Sequence, residues 1–430
     1  MTFRKALLVL SALLIAGARS ASAQDAQAPL APRLQTQAGD PANQRLMLGV
    51  WFGGGYDNRL GRSLTTDSIA LFGPDNSDGQ LGIGASFART GRVFTFDGDV
   101  QTGVRLDSAS QQPWSSDNQM SFSPTIHFSR RLRLESRNAA RYATLNPLVE
   151  SPRAVAAAAA GAPAEVTSVV LPFAIRQTLS AVTDTALRYE RGRSSLLVSN
   201  GFTRTEADTG GALVSQSVRA RYERRLTRFK TLRLGYRLGS ATFDPNSSRF
   251  LKTHDLDVGM DYRRPLPFSR RTFVAASFGP SIVSERDRQS LRVIGDASLT
   301  HTPNRTWQIQ AGYHRSLWTI EGLAAPLLST TVTGGVSANV GRRNVLLALV
   351  SFVDGNVSID QTSATAVMSR TAELRWHAAL TRRVGLVANT FYGRLRYGPQ
   401  VASLLSGVPN DATHVGARVF ITFWQPLLRN

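Results

Sequence analysis

Four arginines carry the most suggestive chemistry in this chain. In Ser217-Val-Arg-Ala-Arg-Tyr222, Arg219 and Arg221 oppose Val218, Ala220 and Tyr222 in parity. In Thr231-Leu-Arg-Leu-Gly-Tyr-Arg-Leu-Gly239, Arg233 and Arg237 oppose Leu232, Leu234, Tyr236 and Leu238. Guanidinium groups stay charged at any physiological pH and bind carboxylate and phosphate oxygens in pairs. The only matching acid beside these two segments is Glu223, directly after Tyr222. Two chemistries fit such a wall: coordination of passing anions, and a charge ladder that braces the structure.

Catalytic and metal chemistry fit poorly. The six histidines (His127, His254, His301, His314, His377 and His414) are dispersed, with no metal-ligand spacing. There is no cysteine, hence no disulfide, iron–sulfur cluster or thiol nucleophile. No nucleophile elbow or phosphate-binding loop occurs. His314 and His377 fall on the arginine parity, where a barrel lipase would need a histidine, but no serine triad signature accompanies them. Neither an enzyme nor a cofactor is expected.

The arginines need a β-strand to stand on. Strands send alternate side chains to opposite faces, so each segment has one apolar wall and one basic wall; a helix would mix the two sets. Similar segments recur from Gln44 to the C-terminus. Every second one ends in an apolar residue followed shortly by arginine: Phe87-Ala-Arg89, Phe128-Ser-Arg-Arg131, Tyr189-Glu-Arg191, Tyr222-Glu-Arg-Arg225, Tyr262-Arg-Arg264, Val340-Gly-Arg-Arg343 and Leu380-Thr-Arg-Arg383. His301-Thr-Pro-Asn-Arg305 is a weaker eighth case. Each marks a tight reversal. The alternate connections are longer, as in residues 58–77, 108–116, 244–251, 321–329 and 398–411.

Short turns on one rim and long loops on the other describe a transmembrane antiparallel up-and-down β-barrel. The fold class is therefore all-β. Eight turns give about 18 strands, with sixteen as the alternative because 165–190 parses poorly. Phe87, Phe128, Tyr189, Tyr222, Tyr262 and Phe423 are expected to form an aromatic girdle at the membrane interface. Pro124 falls inside a strand, where proline is tolerated at a bulge or a missing ladder bond. A soluble two-sheet protein would also alternate, but it needs neither a girdle nor asymmetric connections.

With one parity facing lipid, the other faces the lumen. Its positive members are Arg133, Arg137, Arg188, Arg219, Arg221, Arg233, Arg237, Arg292, Arg375 and Arg418. Its acidic members are Asp97, Asp99, Glu135, Glu190, Glu223, Asp255, Asp257, Asp261, Asp296 and Glu373. Charges of both signs across a watery lumen brace the wall and favour polar solutes. The adjacent strands bearing Arg219, Arg221, Arg233 and Arg237 make the expected anion-binding face.

Residues 1–23 have the flanks of an export signal. Arg4 and Lys5 precede an apolar stretch from Ala6 to Ala18, and Ala21-Ser22-Ala23 offers a cleavage site. Residues 24–43, rich in Pro, Ala and Gln, are expected to be a disordered periplasmic leader, and 44–430 the barrel. The formal charge is +20, or +17 without the signal's Arg4, Lys5 and Arg19. Almost all the cation is arginine, since Lys5, Lys230 and Lys252 are the only lysines. Attraction to anionic solutes follows; nucleic acid is not an expected partner, because no recognition motif appears.

The last strand, Val415-Gly-Ala-Arg-Val-Phe-Ile-Thr-Phe-Trp424, resembles the C-terminal strand of bacterial outer-membrane β-barrels, although Gln425–Asn430 runs past the aromatic end. Porin-like proteins of that class are similar to the chain in architecture over about nine tenths of its length. The resemblance implies outer-membrane location, contact with lipid and lipopolysaccharide, insertion by the barrel assembly machinery, and passage of small polar or anionic solutes. A homo-oligomer is possible by the same resemblance, although no strand group stands out as a flat apolar flank. In porins the third loop often folds into the channel. The connection from Leu145 to Gln177, with its run Ala154-Val-Ala-Ala-Ala-Ala-Ala-Gly161, stands in that place. Alginate-type exporters, similar in strand number and in an arginine-rich lumen, imply export of an anionic polysaccharide as the alternative. A barrel serving structure or adhesion is a third.

Overall fold

A computed structural model of the chain describes residues 44–60, 77–107, 114–144, 169–170, 177–207, 212–243, 250–262, 271–285, 288–304, 306–321, 323–341, 343–356, 367–381, 383–398 and 411–429. The signal, the leader and most of the Leu145–Gln177 connection lie outside the described residues.

Eighteen strands form one closed antiparallel barrel. They are β1 (Gln44–Leu60), β2 (Ser77–Thr90), β3 (Phe94–Asp107), β4 (Trp114–His127), β5 (Leu132–Thr144) and β6 (Gln177–Arg191). Next come β7 (Ser194–Ala207), β8 (Ala212–Arg225), β9 (Lys230–Phe243), β10 (Phe250–Tyr262), β11 (Thr272–Glu285) and β12 (Arg288–His301). The circuit ends with β13 (Trp307–Glu321), β14 (Leu323–Val340), β15 (Asn344–Asn356), β16 (Val367–Ala379), β17 (Val384–Tyr397) and β18 (Asp411–Arg429). Each strand pairs with its sequence neighbours, and β1 closes on β18 from Arg45↔Arg429 to Leu60↔Thr413. Leu48, Val50, Phe52, Leu81, Ile83, Val100, Leu187, Val198, Leu234, Leu256, Val332, Leu374 and Val419 lie exposed on the outer parity, which makes a lipid-facing belt.

The short-turn rim repeats one device. In Phe128–Leu132, Leu226–Lys230 and Leu380–Val384 the first residue's N–H donates to the fifth residue's carbonyl, at 3.1, 2.9 and 3.0 Å. Inside each, a hydroxyl accepts two backbone N–H groups. Thr227 Oγ1 takes those of Phe229 and Lys230 at 3.2 and 3.1 Å, and Ser129 and Thr381 do the same. Asn304 Oδ1 serves Thr306 and Trp307 likewise. Two other turns on this rim place a glycine at positive φ, Gly192 at 59° and Gly341 at 70°. The repeat read in the sequence as apolar–x–arginine therefore owes its geometry to the intervening Ser or Thr wherever one is present.

The long-connection rim departs from strict alternation. Glu285 and Arg288 flank a tight hairpin, and the expected loop 321–329 is instead strand, since β14 begins at Leu323. All four strand prolines sit where a ladder lapses or shifts. The β4–β5 pairing skips Ser123–Pro124, and the β10–β11 pairing skips Gly279–Pro280. Pro326 and Pro426 sit at the register shifts of β14 and β18.

The inner parity is not polar all the way round, contrary to expectation. From β15 to β1 it carries Val353, Val367, Val387, Phe391, Phe420, Trp424 and Trp51, all buried. These rings lie along the wall over glycines of the next strand. A Cβ on Gly49 would stand 2.6 Å from the Trp424 ring, and Trp51 covers Gly82 and Gly84 in the same way. Phe420 lies over Gly53 and Phe391 over Gly416. Glycine there permits the close approach, and the rings fill the space it leaves.

Candidate functional site

The four arginines stand on neighbouring strands. Register puts Arg237 opposite Arg219, Gly235 opposite Arg221, and Arg233 opposite Glu223. On the other flank, β10 sets Asp255 opposite Arg237, Asp257 opposite Gly235 and Gly259 opposite Arg233, with Asp261 diagonal to Arg233 and opposite Thr231. Arg237 Nε donates to Asp255 Oδ2 at 2.7 Å, and Ser281 also donates to that carboxylate. Arg233 Nε lies 3.0 Å from Asp261, with Asp296 3.8 Å from its Nη2. Asp257 leans over Gly235, where a Cβ would collide with it. The expectation that these arginines lack acids beyond Glu223 is thus corrected. Arg219, Arg221, Arg233 and Arg237 are offset by Glu223, Asp255, Asp257 and Asp261. Arg221 makes no hydrogen bond or ion pair among the described residues.

Above this wall one strand pairing is cut short. The β12–β13 ladder runs only from His301↔Ile309 to Gly295↔Arg315, although both strands continue beyond it. Leu317 shares the outer parity of Tyr313 and Arg315. Yet it is buried against the inward-facing Leu213, Ala241, Leu251 and Val283, with Leu328 of β14 packed beside it. A strand displaced into the lumen turns its outer face against the inner face of the wall, and that is the arrangement here. The upper β13–β14 hairpin lies inside the barrel, against β8–β11. It helps enclose a cavity of about 70 Å³ lined by Thr203, Ser217, Arg219, Arg237, Thr253 and Leu317. His314, on the inner face of the same strand, stands among the charges of Asp296, Arg219 and Arg237.

The hairpin tip has a second contact. Val169–Val170, two residues of the Leu145–Gln177 connection, pair in parallel with Ile320–Glu321. The rest of that connection lies outside the described residues.

The remaining site residues fall in three further groups. On β4–β6, Arg133 Nε meets Glu135 at 2.6 Å, Arg188 lies 3.9 Å from Glu135, and Arg141 pairs with Asp117 at 3.2 Å. On β3, Asp97 and Asp99 share the inner parity, and Gln101 Nε2 donates to Asp99 at 2.7 Å. Within the apolar inner wall, Arg375 is buried against Glu373, which also accepts from Asn389 at 3.1 Å. Arg418, likewise buried, sets its guanidinium 5.2 Å from the Phe391 ring. Of the girdle set, Phe128, Tyr189, Tyr222 and Phe423 are exposed. Phe87 meets Phe96 in a tilted arrangement with ring centroids 5.9 Å apart, and Tyr262 is half-buried at the end of β10.

Sequence reasoning missed Asp255 and Asp261 as partners because it paired β9 only through its short turn with β8. Their inward parity was the available signal. It missed Leu317 altogether, since nothing local distinguishes a strand that leaves the wall.

No family model matches the chain, and no curated protein matches it in sequence. Among solved structures it is similar to OpdQ of Pseudomonas aeruginosa, with 10% identity over 90% of this chain and 98% of that one and a TM-score of 0.47. OccK5 (OpdH) of the same organism gives 12% identity over 90% and 99%, again at 0.47. The FrpB iron transporter of Neisseria meningitidis gives 8% identity over 95% and 86%, at 0.46. The strand pairing by itself closes the barrel.

Proposed function

We propose that the chain is a porin-like channel of the bacterial outer membrane through which small hydrophilic solutes diffuse, with a mild preference for anions. The observation that carries this is the inward hairpin, which brings Leu317 over Arg219 and Arg237. A solute passing that level meets guanidinium groups at close range, where charge acts most strongly. The preference is mild because four carboxylates offset the four arginines. Residues 1–23 direct export and are cleaved, 24–43 form a periplasmic leader, and the short-turn rim faces the periplasm. Lipid, lipopolysaccharide and the assembly machinery are the partners this location supplies. The chain is a conduit, not an enzyme.

Planar-bilayer recording of the purified barrel tests the proposal. Ohmic steps with a reversal potential favouring anions are expected. Arg219→Gln with Arg221→Gln should move that potential toward cations while the barrel still shows heat-modifiable gel mobility. A barrel without conductance overturns the channel. Unchanged selectivity reduces these arginines to bracing.

A further inference from the structure

The inward turn of β13 leaves a notch in the membrane-facing wall. Above Gly295↔Arg315, residues Arg288–Ile294 of β12 have no partner on the β13 side among the described residues. Residues Ser316–Glu321 of β13 have none on the β12 side, save that Val169–Val170 pairs with the last two of them. Both strands keep their other neighbours, β11 and β14. The notch therefore runs from about mid-wall to the long-connection rim. Leu291 and Val293, on its outer lip, are 65% and 64% exposed, within the range of the outer face, where Phe278 is 71% and Leu81 59% exposed.

An unpaired ladder edge cannot face hydrocarbon alone, because its N–H and C=O groups find no partner there. Whatever occupies the notch must bring polar atoms as well as apolar surface. The lining has both. Its lip is Leu291 and Val293, and its inner closure is Leu317, backed by Leu251 and Val283. At its base stands Arg315, on the outer parity opposite Gly295, two residues after the belt residue Tyr313 and two before the point where Leu317 turns inward. Arg315 has no ion pair or hydrogen bond among the described residues, and its Nε is buried without a partner. A lone guanidinium at mid-height on the lipid side is costly unless an anion meets it.

We propose that this notch binds a single-chain anionic amphiphile that enters sideways from the lipid, its acid group on Arg315 and its acyl chain along Leu291 and Val293. One chain rather than two follows from the width, a single missing ladder bounded by one strand on each side. This is a site on the outer wall, separate from the aqueous passage, and it stands whether or not the lumen conducts.

The test uses the full barrel in nanodiscs of zwitterionic lipid, with palmitate as probe and hexadecanol as its uncharged control. Bound probe is measured against empty nanodiscs. Palmitate should bind saturably, one per barrel. Arg315→Gln should weaken palmitate at least tenfold and leave hexadecanol unchanged. Val293→Trp, which fills the notch, should weaken both at least tenfold. Heat-modifiable gel mobility confirms that each variant is folded. No saturable excess over empty nanodiscs overturns the proposal, as does palmitate binding that ignores either substitution.

Discussion

Trp51 and Gly82 form a pair whose energy can be isolated. Trp51 is only 5% exposed, although it points into the barrel, because its ring lies along the wall over β2. A Cβ on Gly82 would overlap the indole and come within 2.8 Å of the Thr102 carbonyl oxygen. Gly82→Ala therefore forces the ring off its seat, an overpacking cost of about 1–3 kcal/mol. Trp51→Ala removes the ring instead and costs about 3–5 kcal/mol through lost packing and the space left behind. With the ring gone, the two nearest of the methyl's close contacts disappear and the Thr102 oxygen at 2.8 Å remains, so part of the Gly82→Ala cost should vanish. The double mutant should thus be more stable than the sum of the singles by about 1–2 kcal/mol, well outside the ~0.5 kcal/mol scatter of independent sites. Urea-dependent refolding into lipid vesicles, read by heat-modifiable gel mobility, gives all four stabilities. Strict additivity would mean that the ring does not rest on that glycine, and would sink the account of the inner apolar wall.

Two further outcomes follow. Asp255→Asn leaves Arg237 facing Arg219 without its buried counter-ion; a loss of about 3 kcal/mol in the same refolding titration is expected, together with a reversal potential shifted toward anions. Thr227→Ala deprives two turn N–H groups of their acceptor and should cost about 1 kcal/mol. Because Ser129 and Thr381 occupy like turns far from it, combining the three alanine substitutions should add, as the refolding midpoints will show.

The strand count and most strand limits were legible because period-2 alternation is an unbroken signal over long segments. Lys230–Phe243 and Gln177–Arg191 read nearly as they stand. β14 was read too short because Leu323-Ala-Ala-Pro-Leu-Leu has no alternation and carries a proline, and the register shift that accommodates Pro326 is invisible locally. The apolar inner wall left a trace that parity alone did not weigh: Val345-Leu-Leu-Ala-Leu-Val350 is apolar on both faces, and Gly49, Gly53 and Gly55 flank Trp51 on one face. Charge neutralisation around the arginines depends on β10, which is joined to β9 across a long connection, so no short-range rule brings it near. The displacement of β13 has no sequence signature at all, since it depends on which surface Leu317 prefers once the barrel exists.

The β1–β18 pairing has a consequence for how the molecule is made. Its sixteen residue pairs, from Arg45↔Arg429 to Leu60↔Thr413, join the first strand to the last. Every other ladder of the barrel can form as the chain emerges, since its partners are consecutive. This one cannot, and until Asp411–Arg429 arrives the free edge of β1 offers hydrogen bonds to any passing strand. Closure of so long a circuit is slow on topological grounds, so the growing sheet has to be shielded for the whole interval. A chain stopped before Asp411 would keep two open edges, and its fate would be to pair with another chain like itself.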